Sequence, residues 1–323
     1  MPNMNANIKE LSLHSYLLGS AEEKQKFSEE LFEGLQDAGF VIIKNHSVPV
    51  DLLLAGYKVL EKFFALSEEE KKQYIYPQKG GLRGYTPVGI EHAKDSSIAD
   101  LKEFWHVGQM YMTESKHILY PENIWPNEKQ LADFKIVFTK IYSMLENIGQ
   151  ILLRALSKPL EVDERYFDNL VQNGNSILRL LHYPPIADNI EKNAVRAGAH
   201  EDINFITLLA VASASGLEIL DKKTNQWLKV ESSPNDLILN VGDMMARITN
   251  NKLPATTHRV VNPQTEKNTS RYSIPFFMHP KPSSILSCLP SCKKEANNPE
   301  DISAGDFLMQ RLKAIGLYQK QTD

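Results

Sequence analysis

Two histidines and an aspartate stand at the start of strand-like runs of sequence. His200 and Asp202 open the run AHEDINFITLLA, residues 199–210, and His258 lies in a later run, TTHRVV. Positions i and i+2 of a strand face the same side, so His200 and Asp202 are predicted to project together, whereas Glu201 is predicted to point away and to have no chemical role. Two imidazoles and one carboxylate on one side of an ion form the facial triad of non-haem iron(II), which leaves coordination positions open for a cosubstrate and dioxygen.

A His-x-Asp pair alone is more typical of a hydrogen bond between the two side chains than of a metal site. The run RYSIPFF changes this interpretation, because Arg271 and Ser273 again stand at i and i+2. If residues 264–269 form a hairpin connection, this strand pairs with that of His258 and brings Arg271 near the metal. Arg271 alone could equally be a surface residue. Together with the triad, it is better explained as the partner of a ligand carboxylate, which matches a guanidinium with two parallel hydrogen bonds.

The elements that must position these residues divide the chain into two regions. Over residues 1–170 the apolar spacing predicts mainly helices, with capping boxes at Ser20 and Ser67 and a long helix from about residue 127 to 156. One short strand is predicted at residues 40–43. This region is expected to form a helical layer on the core.

The second region, residues 171–323, is predicted to be mainly β. Strand-like runs separated by turn residues begin near residue 176 and favour an antiparallel sandwich or jelly roll, closed by a last helix that begins at Ser303. We therefore expect an α+β fold with a mainly β core, and one integrated domain in preference to two independent ones.

Composition excludes several classes of protein. Hydrophobic residues make up 42% and charged residues 24% of the 323 positions, which are ordinary globular values. The formal charge of -4 gives no reason to expect nucleic acid or an anionic membrane as partner. Residues 205–212 form the longest apolar stretch, too short to span a bilayer, and the first residues do not resemble a signal peptide. We expect a cytoplasmic monomer whose two cysteines, Cys288 and Cys292, are free thiols.

These motifs resemble the iron(II)- and 2-oxoglutarate-dependent dioxygenases of the isopenicillin N synthase-like family. The similar segments run from AGFVIIKNH through HEDINFITLL, GLEIL, LILNVGDMMARITNNKLPATTHRVVNP and RYSIPFF to LPSC, and so cover nearly the whole chain. The resemblance implies a double-stranded β-helix, a distorted jelly roll, with helices packed outside it. It also implies an enzyme that couples oxidative decarboxylation of 2-oxoglutarate by O2 to hydroxylation, desaturation or cyclisation of a small molecule.

The resemblance also implies roles for individual residues. The implied ligands of Fe(2+) are His200, Asp202 and His258. The implied contacts of 2-oxoglutarate are Arg271 and Ser273, at its distal carboxylate, and Tyr183. Two alternatives stay open: an isopenicillin N synthase-type oxidase that uses no 2-oxoglutarate and holds the carboxylate of its substrate with the same residues, and a non-catalytic small-molecule binding protein on the same scaffold.

Substrate contacts are predicted by analogy with the family. Arg83 and Tyr85 belong to a segment, residues 80–85, that resembles one near the active-site mouth of relatives, and Phe104 and Phe277 stand where relatives line the pocket. The alternatives are a loop that closes the helical layer and an aromatic core. His182, where many relatives carry tyrosine, is predicted to be a packed histidine and not a fourth ligand.

Overall fold

The structure, a computed structural model, describes residues 5–76, 81–92, 98–110, 121–187, 194–210, 212–263 and 267–314. Its helices are α1 (Leu13–Leu18), α2 (Ala21–Asp37), α3 (Val50–Phe64), α4 (Glu68–Lys72), α5 (Phe134–Ser157), α6 (Tyr166–Val171), α7 (Asp243–Ile248) and α8 (Ala304–Ala314). Its strands are β1 (Lys9–Ser12), β2 (Phe40–Lys44), β3 (Gly84–Thr86), β4 (Glu103–Gly108), β5 (Ile177–Tyr183), β6 (Ala197–His200), β7 (Ile206–Ala210), β8 (Leu217–Asp221), β9 (Gln226–Lys229), β10 (Leu237–Val241), β11 (His258–Val260) and β12 (Arg271–Met278).

Three of the helices begin at the local signals that predict them. Ser20 caps α2 through a capping box in which its hydroxyl accepts a hydrogen bond from the Glu23 N–H, while the Glu23 carboxylate accepts one from the Ser20 N–H. Ser67 caps α4 with the same arrangement. The Ser303 hydroxyl accepts a hydrogen bond from the backbone of Asp306 at the start of α8. These three predicted helix starts are confirmed.

The long helix α5 begins at Phe134, later than predicted. Asn127 explains the difference, because its side-chain oxygen accepts a hydrogen bond from the Lys129 N–H and its carbonyl accepts one from the Leu131 N–H. The segment before Phe134 therefore turns on its own polar groups. Leu131 is nevertheless buried in the core, which is why it fits the apolar stripe although it precedes the helix.

The strands form two sheets. The larger has eight strands in the order β1-β2-β10-β7-β12-β5-β4-β3, and the smaller has four in the order β6-β11-β8-β9. Each of the predicted strand-like runs contains a strand, and β2 confirms the strand predicted in the first region. We did not predict β1, β3 and β4. All six residues of β4 are buried, and a strand covered on both faces lacks the alternation by which a half-buried strand is recognised.

The large sheet is covered on both faces. Helices α3 and α5 pack on one face through the main hydrophobic core. The small sheet packs on the other face through two apolar clusters. One contains Phe104, Leu181, Tyr183, Ala197 and Val260, and the other contains Ile8, Phe40, Ile42, Leu217, Ile219 and Ile238. Two sheets packed in this way, with helices outside, confirm the expected jelly roll.

The boundary that we predicted between the helical and the mainly β regions, near residue 170, falls inside α6. Strands from either side of it pair in one sheet, β4 with β5 and β2 with β10. These pairings support the proposal of one integrated domain.

Two further expectations concern the chain as a whole. Within the described residues, no helix has the length and apolar character needed to cross a membrane. Cys288 and Cys292 are free and buried, which confirms the prediction of free thiols.

Gly39 offers a test of the junction between α2 and β2. Its φ is +70°, and a Cβ there would lie 2.0 Å from the Thr256 hydroxyl oxygen. Gly89 has a φ of +89° and nothing within 4 Å of the Cβ position. We expect Gly89→Ala to lower the free energy of unfolding by about 1 kcal/mol through backbone strain, and Gly39→Ala to cost roughly 1–3 kcal/mol more through overpacking. Urea denaturation of both variants measures this, and equal losses would contradict it.

Candidate metal centre

The HxD segment does not lie on one strand, contrary to our prediction. Strand β6 ends at His200, and β7 begins only at Ile206 in the other sheet. Asp202 therefore lies in the turn by which the chain passes from the small sheet to the large one. His258 on β11 is the direct cross-strand partner of His200. The two imidazoles come from paired strands, and the carboxylate comes from the link between the sheets.

The three side chains converge. The Nε2 atoms of His200 and His258 lie 4.0 Å and 3.8 Å from Asp202 Oδ1. One ligand atom from each residue lies within 4.8 Å of the others, and the described residues contain no other group of His, Cys, Asp and Glu with this spacing. The donor set of two imidazoles and one carboxylate is that of the iron(II) facial triad, so the residues fit the ion that the sequence predicts.

Backbone carbonyls fix the orientation of both imidazoles. His200 Nδ1 is 2.8 Å from the Gly198 carbonyl oxygen, and His258 Nδ1 is 3.1 Å from that of Thr256. Because a carbonyl can only accept, each Nδ1 carries the proton, and each Nε2 presents its lone pair toward Asp202. Burial, and next the neighbouring His258, lower the pKa of His200 to about 4. His200 Nε2 therefore carries no proton at neutral pH.

Two residues of the large sheet hold the other carboxylate oxygen of Asp202. Thr207 Oγ1 and Asn240 Nδ2 donate hydrogen bonds of 2.6 Å and 2.7 Å to Oδ2. They are cross-strand partners on β7 and β10. Burial would raise the pKa of Asp202, but the two imidazoles and these hydrogen bonds outweigh it and lower the pKa. Asp202 is thus an oriented carboxylate whose Oδ1 faces the histidines.

Arg271 does not share a hairpin with His258, so that prediction is wrong. Strand β11 pairs with β6 and β8 in the small sheet, while β12 pairs with β5 and β7 in the large sheet. Of the predicted connection, residues 264–266 lie outside the described residues. Arg271 is instead the cross-strand partner of Tyr183 on β5.

The Arg271 side chain is buried, 2% exposed, and only partly satisfied. Its Nε donates to the carbonyls of Ala214 and Ser215, and its Cζ lies 5.0 Å from the centroid of the Tyr183 ring. Its Nη1 is buried without a hydrogen-bond partner, which costs free energy unless a ligand supplies an acceptor. Ser273 is buried two residues along the strand. A bound carboxylate fits this arrangement, and 2-oxoglutarate carries one at its distal end.

A cavity of about 1180 Å³, including its open mouth, adjoins the triad at His200 and Asp202. Phe277 lines it, as predicted. Glu201 also lines it and accepts a hydrogen bond from the Thr257 hydroxyl. The prediction that Glu201 points away from the site is therefore wrong, because the chain leaves the strand geometry at this position.

Three of the predicted substrate contacts are absent from the described lining of this cavity. Arg83 lies against Gly108, and its Nη1 donates to the Leu82 carbonyl. The Tyr85 hydroxyl donates to buried Glu103. Phe104 packs in the apolar cluster between the sheets. Of the segment 80–85, Gly80 lies outside the described residues.

His182 is a packed histidine, as predicted. Its Nδ1 lies 2.7 Å from Glu103 and its Nε2 lies 3.0 Å from the Ser270 hydroxyl. The imidazole stacks on Tyr272 with the centroids 4.8 Å apart. Both nitrogens are therefore engaged, and His182 is not part of the triad.

The cavity also contains a cluster of charged residues that we did not predict. Arg179 Nε is 2.7 Å from His106 Nε2, and its Nη1 donates to Glu91 over 3.0 Å. Lys102 bridges Glu91 and Asp100 at 2.5 Å and 2.7 Å. The sequence does contain a signal for Arg179, since in ILRLLHY it alternates with Leu181 and Tyr183 and so places a charge on the inward face of β5. The other members come from segments with no periodic pattern.

Comparison with known proteins agrees with this geometry. Residues 9–128 match the model of the non-haem dioxygenase in morphine synthesis N-terminal family, and residues 174–280 match that of the 2OG-Fe(II) oxygenase superfamily. A 2-oxoglutarate-Fe(II) type oxidoreductase, hxnY, of Emericella nidulans is 30% identical over 284 residues, which are 86% of this chain and 80% of that protein. The proline hydroxylase buaE of Petromyces alliaceus is 30% identical over 94% of this chain and 98% of its own length.

Solved structures show the same likeness. A 2OG-Fe(II) oxygenase family protein from Caulobacter crescentus has 39% sequence identity and a TM-score of 0.84, with 96% of this chain and 100% of that chain covered. A full-length Neurospora crassa protein, solved in complex with alpha-KG and thymine, has 30% identity and a TM-score of 0.85, with 95% and 96% covered.

The chain therefore belongs to the 2OG-Fe(II) oxygenase superfamily. It is an iron(II)- and 2-oxoglutarate-dependent dioxygenase that uses O2 to oxidise a small molecule, and the expected family, fold, enzyme class and cofactors are confirmed.

Thr207 offers a test of how Asp202 is held. We expect Thr207→Val to weaken iron(II) binding by about tenfold or more, because Asp202 Oδ2 loses a hydrogen bond that orients the carboxylate. Thr257→Val is the matched control, since the Thr257 hydroxyl bonds to Glu201 and not to Asp202. Anaerobic titration of the apoprotein with iron(II) measures both affinities. Equal affinities of the two variants would show that this hydrogen bond does not support the ligand.

Proposed function

We propose that His200, Asp202 and His258 are the iron(II) ligands of this enzyme. Their convergence within 4.8 Å carries the proposal. The hydrogen bonds that orient both imidazoles and the carboxylate support it, because they fix the groups that face one another across the site.

We further propose that Arg271, Ser273 and Tyr183 hold the distal carboxylate of 2-oxoglutarate. The buried, unpartnered Nη1 of Arg271 supports this assignment. Two backbone carbonyls anchor its Nε, and the Tyr183 ring lies beside the guanidinium, so the free nitrogen has a fixed position. The carboxylate would replace the missing acceptor and compensate the buried charge.

The substrate is proposed to occupy the cavity beside His200 and Asp202. When bound, iron(II) and 2-oxoglutarate supply the oxidising chemistry with O2. The chain positions the substrate between Phe277 on the large sheet and the apolar residues Leu308 and Leu312 of α8. These residues also exclude water from the reacting position.

The two alternatives have less support. An oxidase that uses no 2-oxoglutarate would use the same arginine, but the relatives are named for 2-oxoglutarate, and the Neurospora protein was solved with alpha-KG. A non-catalytic binding protein has no need for an intact triad together with an unpaired buried guanidinium nitrogen.

Cytoplasmic location and a monomeric state are also proposed, together with the absence of nucleic-acid or membrane partners. They rest on composition, on the formal charge of -4 and on the free thiols. Size-exclusion chromatography with light scattering tests the monomer, and a dimer mass would overturn it.

Arg271→Met tests the proposed function directly. We expect the variant to bind iron(II) as the wild type does but 2-oxoglutarate at least about thirtyfold more weakly, because truncating a buried charge partner costs about 2 kcal/mol or more. Anaerobic titration of the charge-transfer band of the iron(II) protein with 2-oxoglutarate measures this. Arg154→Met is the control, because Arg154 pairs with Asp168 on the helical layer. A wild-type protein that develops no band, or an Arg271 variant that binds normally, would contradict the proposal.

A further inference from the structure

The inner wall of the cavity carries balanced buried charges. Arg179 and Lys102 are the cations, and Glu91 and Asp100 are the anions. Burial would raise the pKa of Glu91, but the neighbouring cations outweigh burial and lower that pKa. Burial would likewise lower the pKa of Lys102, but the neighbouring carboxylates outweigh burial and raise that pKa. Glu91 and Lys102 therefore stay ionised. A carboxylate bound against this wall would add a buried charge without a counterion.

His106 adds no charge to the wall and fixes Arg179. Its Nδ1 lies 2.7 Å from the Gly81 carbonyl oxygen and therefore donates to it. Its Nε2 is left as an acceptor for Arg179 Nε. Burial, followed by the charge of Arg179, holds the pKa of His106 well below its ordinary value. The imidazole is thus a neutral acceptor that sets the rotation of the guanidinium.

One donor and one acceptor of the network remain unused. Arg179 donates through Nε and Nη1, and no hydrogen bond of Nη2 is found among the described residues. Both cations contact Glu91 Oε1, while Oε2 is buried without a hydrogen-bond partner. Arg179 Nη1 bonds Glu91 Oε1 directly, so the unused donor and the unused acceptor belong to adjacent groups. Both residues line the cavity.

The complement of such a pair is an N–H beside a C=O on one edge of a molecule. Open-chain secondary amides are trans and direct these groups to opposite sides. A small ring forces the amide to be cis and brings both groups to one edge. An aromatic wall favours a planar ligand, since Phe277 lines the cavity and its ring centroid lies 5.3 Å from the Arg179 guanidinium.

We propose that Arg179 and Glu91 determine specificity and that the substrate is a neutral cyclic amide or imide. Its carbonyl accepts a hydrogen bond from Arg179 Nη2, and its ring N–H donates one to Glu91 Oε2. The charge balance of this wall disfavours the binding of amino acids and other carboxylic acids against Arg179 and Glu91. This inference rests on the proposed function, because the ring then lies in the cavity beside the iron ligands His200 and Asp202.

Binding to the iron(II)–2-oxoglutarate enzyme under anaerobic conditions tests the proposal without turnover. The neutral probes are uracil and 2-piperidone, and the carboxylate probes matched to them in ring size are benzoate and pipecolate. Isothermal titration calorimetry is expected to give dissociation constants at least about tenfold lower for the neutral probes. Tighter binding of the carboxylates, or binding of neither set, would overturn the proposal.

Glu91→Gln tests the acceptor. Lys102 and Arg179 will hold the glutamine oxygen, so the side-chain NH2 replaces Oε2 and opposes the ring N–H. We expect the two neutral probes to bind at least about tenfold more weakly and benzoate to bind more tightly, because the wall gains a net positive charge.

Arg179→Lys tests the donor. This variant retains the charge but lacks Nη2, so it should bind the neutral probes more weakly without binding benzoate more tightly. Loss of packing alone would not reverse the selectivity.

Glu218→Gln is the matched control. Glu218 accepts two hydrogen bonds from Arg259 in the small sheet and is not among the described residues that line the cavity. The Glu218→Gln variant should therefore discriminate between neutral and carboxylate probes as the wild type does. The 2-oxoglutarate charge-transfer band is recorded for every variant. If the wild type forms no band, the proposed function fails. If the band forms but Glu91→Gln leaves the selectivity unchanged, the assignment of the specificity pair is wrong.

Discussion

The two carboxylate oxygens of Asp202 have different tasks, and the architecture of the site depends on keeping them apart. Oδ2 is held by Thr207 and Asn240 of the large sheet, while Oδ1 faces the histidines of the small sheet. A single residue in the turn between the sheets thus fixes their relative position at the metal centre. Against the effect of burial, the two imidazoles, and after them these hydrogen bonds, lower the pKa of Asp202, so the groups that orient the carboxylate also favour its charged form.

Buried charge is compensated differently in the two halves of the site. Around Arg179 and Lys102 the protein supplies its own counterions, so the charge of this wall is balanced without a ligand. Arg271 has carbonyl partners for its Nε but no hydrogen-bond partner for its Nη1. This contrast separates a surface suited to neutral ligands from one suited to an anion. On the functions proposed above, a neutral substrate and an anionic cosubstrate would each find a matching surface within one barrel.

Local patterns in the sequence predict much of this structure. The capping boxes at Ser20 and Ser67 and the alternating runs from residue 177 onward give helices and strands close to those observed. The pairing of strands could not be predicted in the same way. Arg271 was expected beside His258 through a hairpin, yet the chain crosses from the small sheet to the large one between β11 and β12, and local sequence patterns do not reveal such a crossing.

Helix α8 supplies part of the cavity wall although it belongs to neither sheet. Leu308 and Leu312 face the substrate space, and Arg311 contacts Asp243 at 3.0 Å beside the turn that carries Asp202. Neither the triad nor the sheet strands contribute this wall. The width of the cavity therefore depends on a single peripheral helix, whose residues are separate in sequence from the strands and the turn that carry the triad.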